Sequence, residues 1–463
     1  MATPERVLCN DLAGALNKTV RLQGWIQTIR RHSKLAFVDL RDRSGVAQIV
    51  LSGAPLNEPS NLTEESVITV TGKVVLRPES LVNRELASGT VELQAASVVI
   101  EALSDTLPLP LNSRQVAENT RLKHRYLDLR RGRTSANIKS RHRFNQFIRN
   151  RLTGAGFIEV ETPYISKSTP EGARDYLVPS RIDPGKFYAL PQSPQQYKQL
   201  LMVAGFERYF QIVRCFRDED SRGDRQPEFT QLDIEMSFTD ADEVMTLTEQ
   251  LMVDLVKEFF PQKKITREPF PRLTFEEATK THQTDRPDLR ADKNNSDELA
   301  FCFITDFPLF EWKVSEKRYG AVHHPFTAPQ AEFEKSFEKN PKTARSQQYD
   351  LVLNGWEVAG GSIRIHRQEL LRRVFKFLGH TTAQIERDFG HLLEAFRYGV
   401  PPHGGIALGL DRLFAVLLEE ETIREVIAFP KSGDGRDLMM DAPSEVSREQ
   451  LQDLGLKLDR PKS

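Results

Sequence analysis

FRDEDSRGDRQPEFTQLDIE, residues 216–235, decides how this chain is read. The run before it, Tyr209 to Arg214 (YFQIVR), has the pattern of a strand, and a second strand follows the charged loop. Arg217, Glu219 and Phe229 then fall around one turn. An adenine nucleotide needs such a set: forked donors for a phosphate, a carboxylate to accept from an exocyclic amine, and a ring to stack on a base. An isolated R-x-E would instead read as a salt-bridged, solvated hairpin tip.

Working outward, 463 residues make two or three units the natural expectation. Lys+Arg and Asp+Glu nearly cancel at a net charge of -1, so no global basic field points to nucleic acid, and any such contact has to be local. Cys9, Cys215 and Cys302 stand far apart, which argues against a disulfide framework or a zinc site and favours a reducing compartment. No apolar run approaches the roughly 18 residues of a membrane span. The opening Met-Ala-Thr-Pro-Glu-Arg has neither a signal core nor an organellar presequence pattern, so the expectation is a cytoplasmic protein without a membrane partner.

Five short β runs, Val20 to Gln27, Ala36 to Arg41, Ala47 to Leu51, Ser66 to Val75 and Gly89 to Ile100, predict a small barrel. In OB form such barrels often bind single-stranded nucleic acid; a generic β domain is the alternative. Leu107-Pro-Leu-Pro110 ends it, since two prolines oppose both helix and ladder. A basic run follows in TRLKHRYLDLRR, residues 120–131, with Asp128 as its one acid; it reads as a solvated face or as a phosphate-facing hinge. Ile138, Phe144, Phe147, Ile148 and Leu152 then recur at helical spacing up to Gly154 and Gly156.

Residues 216–235 resemble motif 2 of the class II aminoacyl-tRNA synthetases, and their wording is similar to the bacterial-type aspartyl enzymes of that class. GIALGLDRLFAVLL, residues 405–418, resembles motif 3, and GFIEVETPYISKSTPEGARDYLVPS, residues 156–180, resembles motif 1, which implies a homodimer. GWIQTIRRHSKLAFVDLRDRSGVAQIV, residues 24–50, is similar to the family's anticodon-binding barrel. The resemblance implies an α+β protein. An N-terminal OB-fold barrel would span 1–106, a basic hinge 107–134, and a catalytic domain 135–463, with six or seven antiparallel strands flanked by helices. Relatives carry an extra domain after a segment like HQTDRPDLR, residues 282–290. Here only Ala291 to Glu298 separates that segment from FCFITDFP, residues 301–308, a much-shortened insertion near 263–300.

By the same resemblance, L-aspartate is activated by ATP with Mg²⁺ to aspartyl-adenylate and pyrophosphate. The aspartyl group then passes to the 3′ end of tRNA for aspartate, with tRNA for asparagine left open as a second acceptor. Arg217 would bridge the attacking carboxylate and the α-phosphate, and Arg412 would hold the far phosphate. Asp218, Glu219, Gln226, Phe229, Glu357, Gly409, Leu410 and Asp411 complete the implied ATP site, and Asp350 with Glu357 the implied metal site. Glu171, Ser193, Gln195, Lys198, Asp233, His323 and Arg364 would surround aspartate, the two cations Lys198 and Arg364 facing its side-chain carboxylate; which of the adjacent His323 and His324 points inward stays open, as does a plain polar loop. Arg30, Phe37 and Gln48 would meet the anticodon. Two other readings stay open: an enzyme of the same fold that activates aspartate without tRNA, and a nucleic-acid-binding relative without activity.

Overall fold

The computed structural model describes residues 4–57, 62–113, 115–168 and 172–459. The chain divides into two compact units, Met1–Pro110 and Leu111–Ser463.

The first unit is a closed five-stranded barrel of β1 (Thr19–Arg31), β2 (Leu35–Arg41), β3 (Val46–Ser52), β4 (Val67–Leu76) and β5 (Val91–Ala102), in the order β1-β2-β3-β5-β4. All five expected runs are strands. Alternation explains the closure: Val20, Leu22, Val38, Leu40, Ile49, Val70 and Leu93 point inward and are buried. A short turn of helix, Cys9–Ala15, adds Cys9, Leu12 and Ala15 to that core. Arg30, Phe37 and Gln48 sit at outward positions of adjacent strands, with Arg30 opposite Phe37 and Gln48 opposite Asp39.

In the second unit a long helix α1 (Gly132–Gly154) leads to the edge strand β6 (Ile158–Glu159). Helix α2 (Gln195–Val203) precedes the motif 2 hairpin, β7 (Arg208–Phe216) and β8 (Glu228–Ser237); α3 (Ala241–Phe259) and the edge strand β9 (Arg272–Thr274) follow. Strand β10 (Phe301–Thr305), the small hairpin β11 (Phe310–Lys313) and β12 (Arg318–Ala321), and the hairpin β13 (Gln348–Leu353) and β14 (Trp356–Ile363) come next. Helices α4 (Gln368–Phe377) and α5 (Thr382–Ala395), then β15 (His403–Gly409) running directly into α6 (Leu410–Leu417), complete the frame. The sheet has eight strands, in the order β9-β10-β13-β14-β15-β8-β7-β6, rather than six or seven. Its six inner strands pair antiparallel, and the extra two are the short parallel edges β9 and β6. Three-residue and two-residue segments carry too little periodicity to be recognised in sequence.

One sheet face is apolar. Leu232 and Ile234 of β8 and Ile406 and Leu408 of β15 pack with Phe144 of α1, Leu251 and Met252 of α3, and Leu413 and Phe414 of α6. Helix α1 departs from the expected stripe in its first half, where Thr134, Asn137 and Ser140 are buried instead of Ile138. The reason is a polar neighbour: Asn137 Nδ2 donates to Glu420 Oε1 at 2.5 Å and to the Glu425 carbonyl at 3.3 Å.

Three arginines of the basic run, and Arg133 just beyond it, are paired within the protein. Arg121 pairs with Asp128 at 2.9 Å and with Glu425 at 2.6 Å. Arg125 is 2% exposed and gives its donors to Asp128 and to the carbonyls of Arg424, Ile427 and Ala428, each carbonyl at 2.9 Å. Arg131 also pairs with Asp128, and Arg133 with Glu420 at 2.7 Å. A buried guanidinium is tolerated only when its planar fork is filled, and here it is. These side chains pin the segment to residues 420–428. Among the described residues no helix is long and apolar enough to cross a membrane.

Candidate active site

Strand β8 builds the centre of the site through its period of two. Leu232, Ile234 and Met236 face the core, so Gln231, Asp233 and Glu235 share the opposite face. A cavity of about 440 Å³ opens above them. Both Asp233 and Glu235 are 0% exposed, and burying two carboxylates without cations would be prohibitive. Lys198 reaches in from α2, with Nζ 2.6 Å from Asp233 Oδ1 and 3.3 Å from Glu235 Oε2. Arg364, just past β14, clasps Glu235 through Nε at 3.0 Å and Nη2 at 3.2 Å. Burial opposes the ionisation of Glu235, yet Arg364 and Lys198 together hold it below the usual carboxylate range.

Close backbone approach makes this clasp possible. A Cβ at Gly405, opposite Glu235 in the ladder, would lie 2.0 Å from the Ile234 carbonyl and 2.2 Å from Glu235 Oε2. The Gly405 carbonyl also accepts from Arg364 Nη2 at 3.3 Å.

Both histidines expected near the pocket line the cavity, in different roles. His324 Nε2 accepts from Arg364 Nη1 at 2.8 Å, and its Nδ1 lies 3.2 Å from Thr327 Oγ1. His323 makes no such contact with Arg364, and its buried Nδ1 has no hydrogen-bond partner among those described. Burial, then Arg364, Lys198 and Arg217, push His323 down to about 3, and His324 also lies well below its ordinary value. Both are neutral near pH 7. The unfolded chain takes up a proton at residue 323 as pH falls through about 6.5, while the folded chain does not until about 3. His323 therefore contributes a loss of stability as pH falls across that window. In thermal melts at stepped pH, His323→Gln should decline less steeply than the parent between pH 6 and 4; parallel curves would contradict the neutral assignment.

The motif 2 and motif 3 residues meet at the other end of the cavity. The Arg217 guanidinium lies 5.1 Å from the centroid of the Phe229 ring, and its buried Nε has no hydrogen-bond partner among those described. Arg412, the third residue of α6, donates to the carbonyls of Asp224 and Glu357, both at 3.0 Å, and lies 3.4 Å from Asp224 Oδ2. Glu219 lines the cavity beside Arg225, 3.7 Å away, and the Asp218 carboxylate lies 3.7 Å from Arg174. Ser193 and Gln195 line the cavity near Lys198, with Gln195 also donating to Gln199 at 3.2 Å.

Three expected nucleotide residues have side chains already engaged. Gln226 accepts from the Lys431 amide at 2.7 Å and donates to its carbonyl at 3.2 Å. Asp411 binds Arg141 and accepts from the Thr230 amide at 2.9 Å. Leu410 is in the core. These side chains position the site, and what Leu410 and Gly409 offer a ligand is backbone. Glu171 lies outside the described residues.

Asp350 and Glu357 sit on opposite strands of the β13–β14 hairpin, which turns through Asn354 and Gly355, both with positive φ. Burial raises Asp350 well above its ordinary value and nearby Glu357 raises it further; Gln348 Nε2 donates to it at 3.2 Å. Two neighbouring carboxylates, of which Glu357 also lies 3.9 Å from Arg412, are a donor set suited to a hard divalent ion. Among the described residues no group of three or more His, Cys, Asp or Glu forms a cage. Mg²⁺ commonly needs none, taking one or two carboxylates together with substrate phosphates.

Glu235 and Asp224 were not expected in the site. The alternation Gln231-Asp233-Glu235 contained the sign for Glu235; nothing local marks Asp224.

Comparison with known proteins agrees with this geometry. Residues 117–433 match the model of the tRNA synthetases class II (D, K and N), and residues 20–101 match that of the OB-fold nucleic acid binding domain. The aspartate–tRNA(Asp/Asn) ligase of Dictyoglomus turgidum is 40% identical over 581 aligned positions, covering 98% of each chain. That of Rubrobacter xylanophilus is 42% identical, covering 97% of this chain and 96% of its own. An alignment of 581 positions against 463 residues means that the relatives carry a long stretch this chain lacks. The asparaginyl-tRNA synthetase of Pyrococcus horikoshii, solved with asparaginyl-adenylate, superposes with a TM-score of 0.75 at 23% identity, over 92% of this chain and 98% of its own. An antiparallel sheet carrying motif 2 and motif 3 arginines above buried carboxylates, preceded by an OB barrel, defines a class II synthetase architecture. The chain belongs to the class II tRNA synthetases of the aspartyl, lysyl and asparaginyl group, and is similar over nearly its full length to relatives named aspartate–tRNA(Asp/Asn) ligase.

Proposed function

We propose that this enzyme joins L-aspartate to tRNA in two steps, first forming aspartyl-adenylate from ATP and then passing the aspartyl group to the 3′-terminal adenosine. The observation that carries the reading is the pair of buried cations, Lys198 and Arg364, set around a cavity floor of acids. A substrate side chain that is itself a carboxylate finds fixed donors there, whereas a lysine side chain would face repulsion. Asp233, whose Oδ2 lacks a hydrogen-bond partner among those described, and Glu171 receive the substrate ammonium. Ser193, Gln195 and His323 line the remainder.

Activation is an in-line attack of the aspartate α-carboxylate on the α-phosphorus, with pyrophosphate leaving. The protein supplies positioning and charge. Arg217 spans the attacking carboxylate and the α-phosphate, Phe229 stacks under adenine, and Arg412 takes the terminal phosphate. Asp350 and Glu357 would hold Mg²⁺, which would neutralise phosphate charge. The exposed apolar side chains Ile158, Tyr164, Ile165, Leu177, Phe187 and Tyr188 support a homodimer through this surface, and three buried, unbridged cysteines are in keeping with a reducing cytoplasm.

On the barrel, Arg30 is clamped to Asp39 at 2.7 and 3.1 Å and Gln48 donates to Glu92 at 2.9 Å, leaving Phe37 beside them with His32 against its edge at 5.8 Å. This ring stacks on an anticodon base and the paired polar groups read edges. The test is charging of purified tRNA for aspartate and tRNA for asparagine side by side, with wild type and Phe37→Ala. We expect aspartylation of the first, weakened about tenfold by the variant while ATP–pyrophosphate exchange is unchanged. No aspartylation of either tRNA would overturn the transfer step.

A further inference from the structure

The β11–β12 hairpin has two unlike faces. Its apolar face carries Phe310, Trp312 and Tyr319; Phe310 and Tyr319 pack on Phe377 of α4 with centroids 4.6 and 5.5 Å apart. This packing fixes the hairpin and assigns Glu311, Lys313, Arg318 and Gly320 to the other face. Arg318 is occupied by Glu316 and by the Leu378 carbonyl at 3.1 Å. Lys313 lines the cavity, together with Ala321, Val322 and His323 from the end of β12.

What lets Lys313 lie there is its diagonal neighbour Gly320, which pairs with Glu311 across the hairpin. A Cβ on Gly320 would come 2.9 Å from Lys313 Cε and 3.1 Å from Cγ, so the glycine leaves the lane along which the alkyl stem runs. Among the described residues, four of the other five cations lining this cavity have fixed companions, while Arg225 sits 3.7 Å from Glu219 in a similarly exposed pair. Lys198 and Arg364 are held in place by Asp233 and Glu235, Arg412 is seated on two carbonyls, and Arg217 lies against Phe229. Lys313 pairs only with Glu311, a carboxylate half exposed to solvent on the same face. An ion pair of that kind is weak and exchangeable, and a phosphate oxyanion is the stronger acceptor.

We propose that Lys313 is a further phosphate-binding residue of this site, taking an oxyanion that arrives through the cavity mouth. The proposal rests on the function given above. Two sources share that chemistry: the polyphosphate tail of the nucleotide and the phosphodiester at the 3′ end of the tRNA.

Three variants separate the outcomes. Lys313→Met keeps the stem and removes the charge, Lys313→Arg keeps a cation, and Gly320→Ala leaves the lysine but fills its lane. The readouts are KM for ATP in aspartate-dependent ATP–pyrophosphate exchange without tRNA, KM for tRNA in charging, and KM for aspartate as control. One charge-assisted hydrogen bond corresponds to a rise of about tenfold. That rise should appear in Lys313→Met and Gly320→Ala, be largely absent in Lys313→Arg, and leave KM for aspartate alone. A rise in the ATP constant assigns the nucleotide tail; a rise confined to tRNA assigns the nucleic-acid phosphate. Neither constant moving by more than about twofold, or KM for aspartate rising in parallel, would overturn the proposal. A wild-type protein without exchange would overturn the function itself and this proposal with it, a result distinct from active wild type matched by an equally active Lys313→Met.

Discussion

Arg364→Leu should abolish aspartate-dependent exchange and, in the same protein, lower the stability of the fold. The first effect follows from removing one of the two fixed cations proposed to face the substrate carboxylate, a loss of roughly 2–5 kcal/mol in binding. The second follows from Glu235. With Arg364 gone, a carboxylate at 0% exposure keeps only Lys198, itself shared with Asp233. Breaking a buried pair in this way costs about 3–5 kcal/mol. The two effects are separable, because adding Glu235→Gln to Arg364→Leu removes the stranded charge. The double variant should regain much of the lost stability in denaturant titration while still failing to use aspartate. Aspartate kinetics like those of wild type in either variant would show that Arg364 does not face the substrate.

Arg217→Lys is the second large effect, and it should fall on the rate rather than on folding. Arg217 lies against Phe229 with its Nε free of described hydrogen bonds, so the fold asks little of it. Its planar fork can bridge two oxyanions while keeping its contact with the ring; an ammonium is a point donor and cannot. Removing a preorganised donor of transition-state charge costs on the order of 10²–10³ in kcat. Exchange rates at saturating ATP and aspartate measure this. A loss smaller than about tenfold, with an unaltered melting temperature, would remove Arg217 from the centre of the reaction.

Where the sequence was informative, the cause was local. The barrel strands alternate with a period of two and are separated by turn residues, so their positions could be read residue by residue. Asp233 was legible through its motif, and Glu235, two residues on, obeyed the same alternation but was passed over because a second acid on a strand reads as surface charge. The basic run at 120–133 was the opposite case. Its partners Glu420 and Glu425 lie about three hundred residues away, and no local pattern reveals that Arg121 and Arg133 are already neutralised. The choice between His323 and His324 as the neighbour of Arg364 depended on side-chain direction at the end of a loop. Asp411 shows a further limit: it sits in the motif that provides Arg412, yet its carboxylate binds Arg141 and the Thr230 amide and so holds α6 against β8.

The central claim is that Lys198 and Arg364 make this cavity select a carboxylate side chain. ATP–pyrophosphate exchange with purified protein, Mg²⁺ and no tRNA, run in parallel with aspartate, asparagine and lysine, tests it most directly. Exchange with aspartate alone is the predicted result. Exchange supported equally by asparagine, or by none of the three, would contradict it.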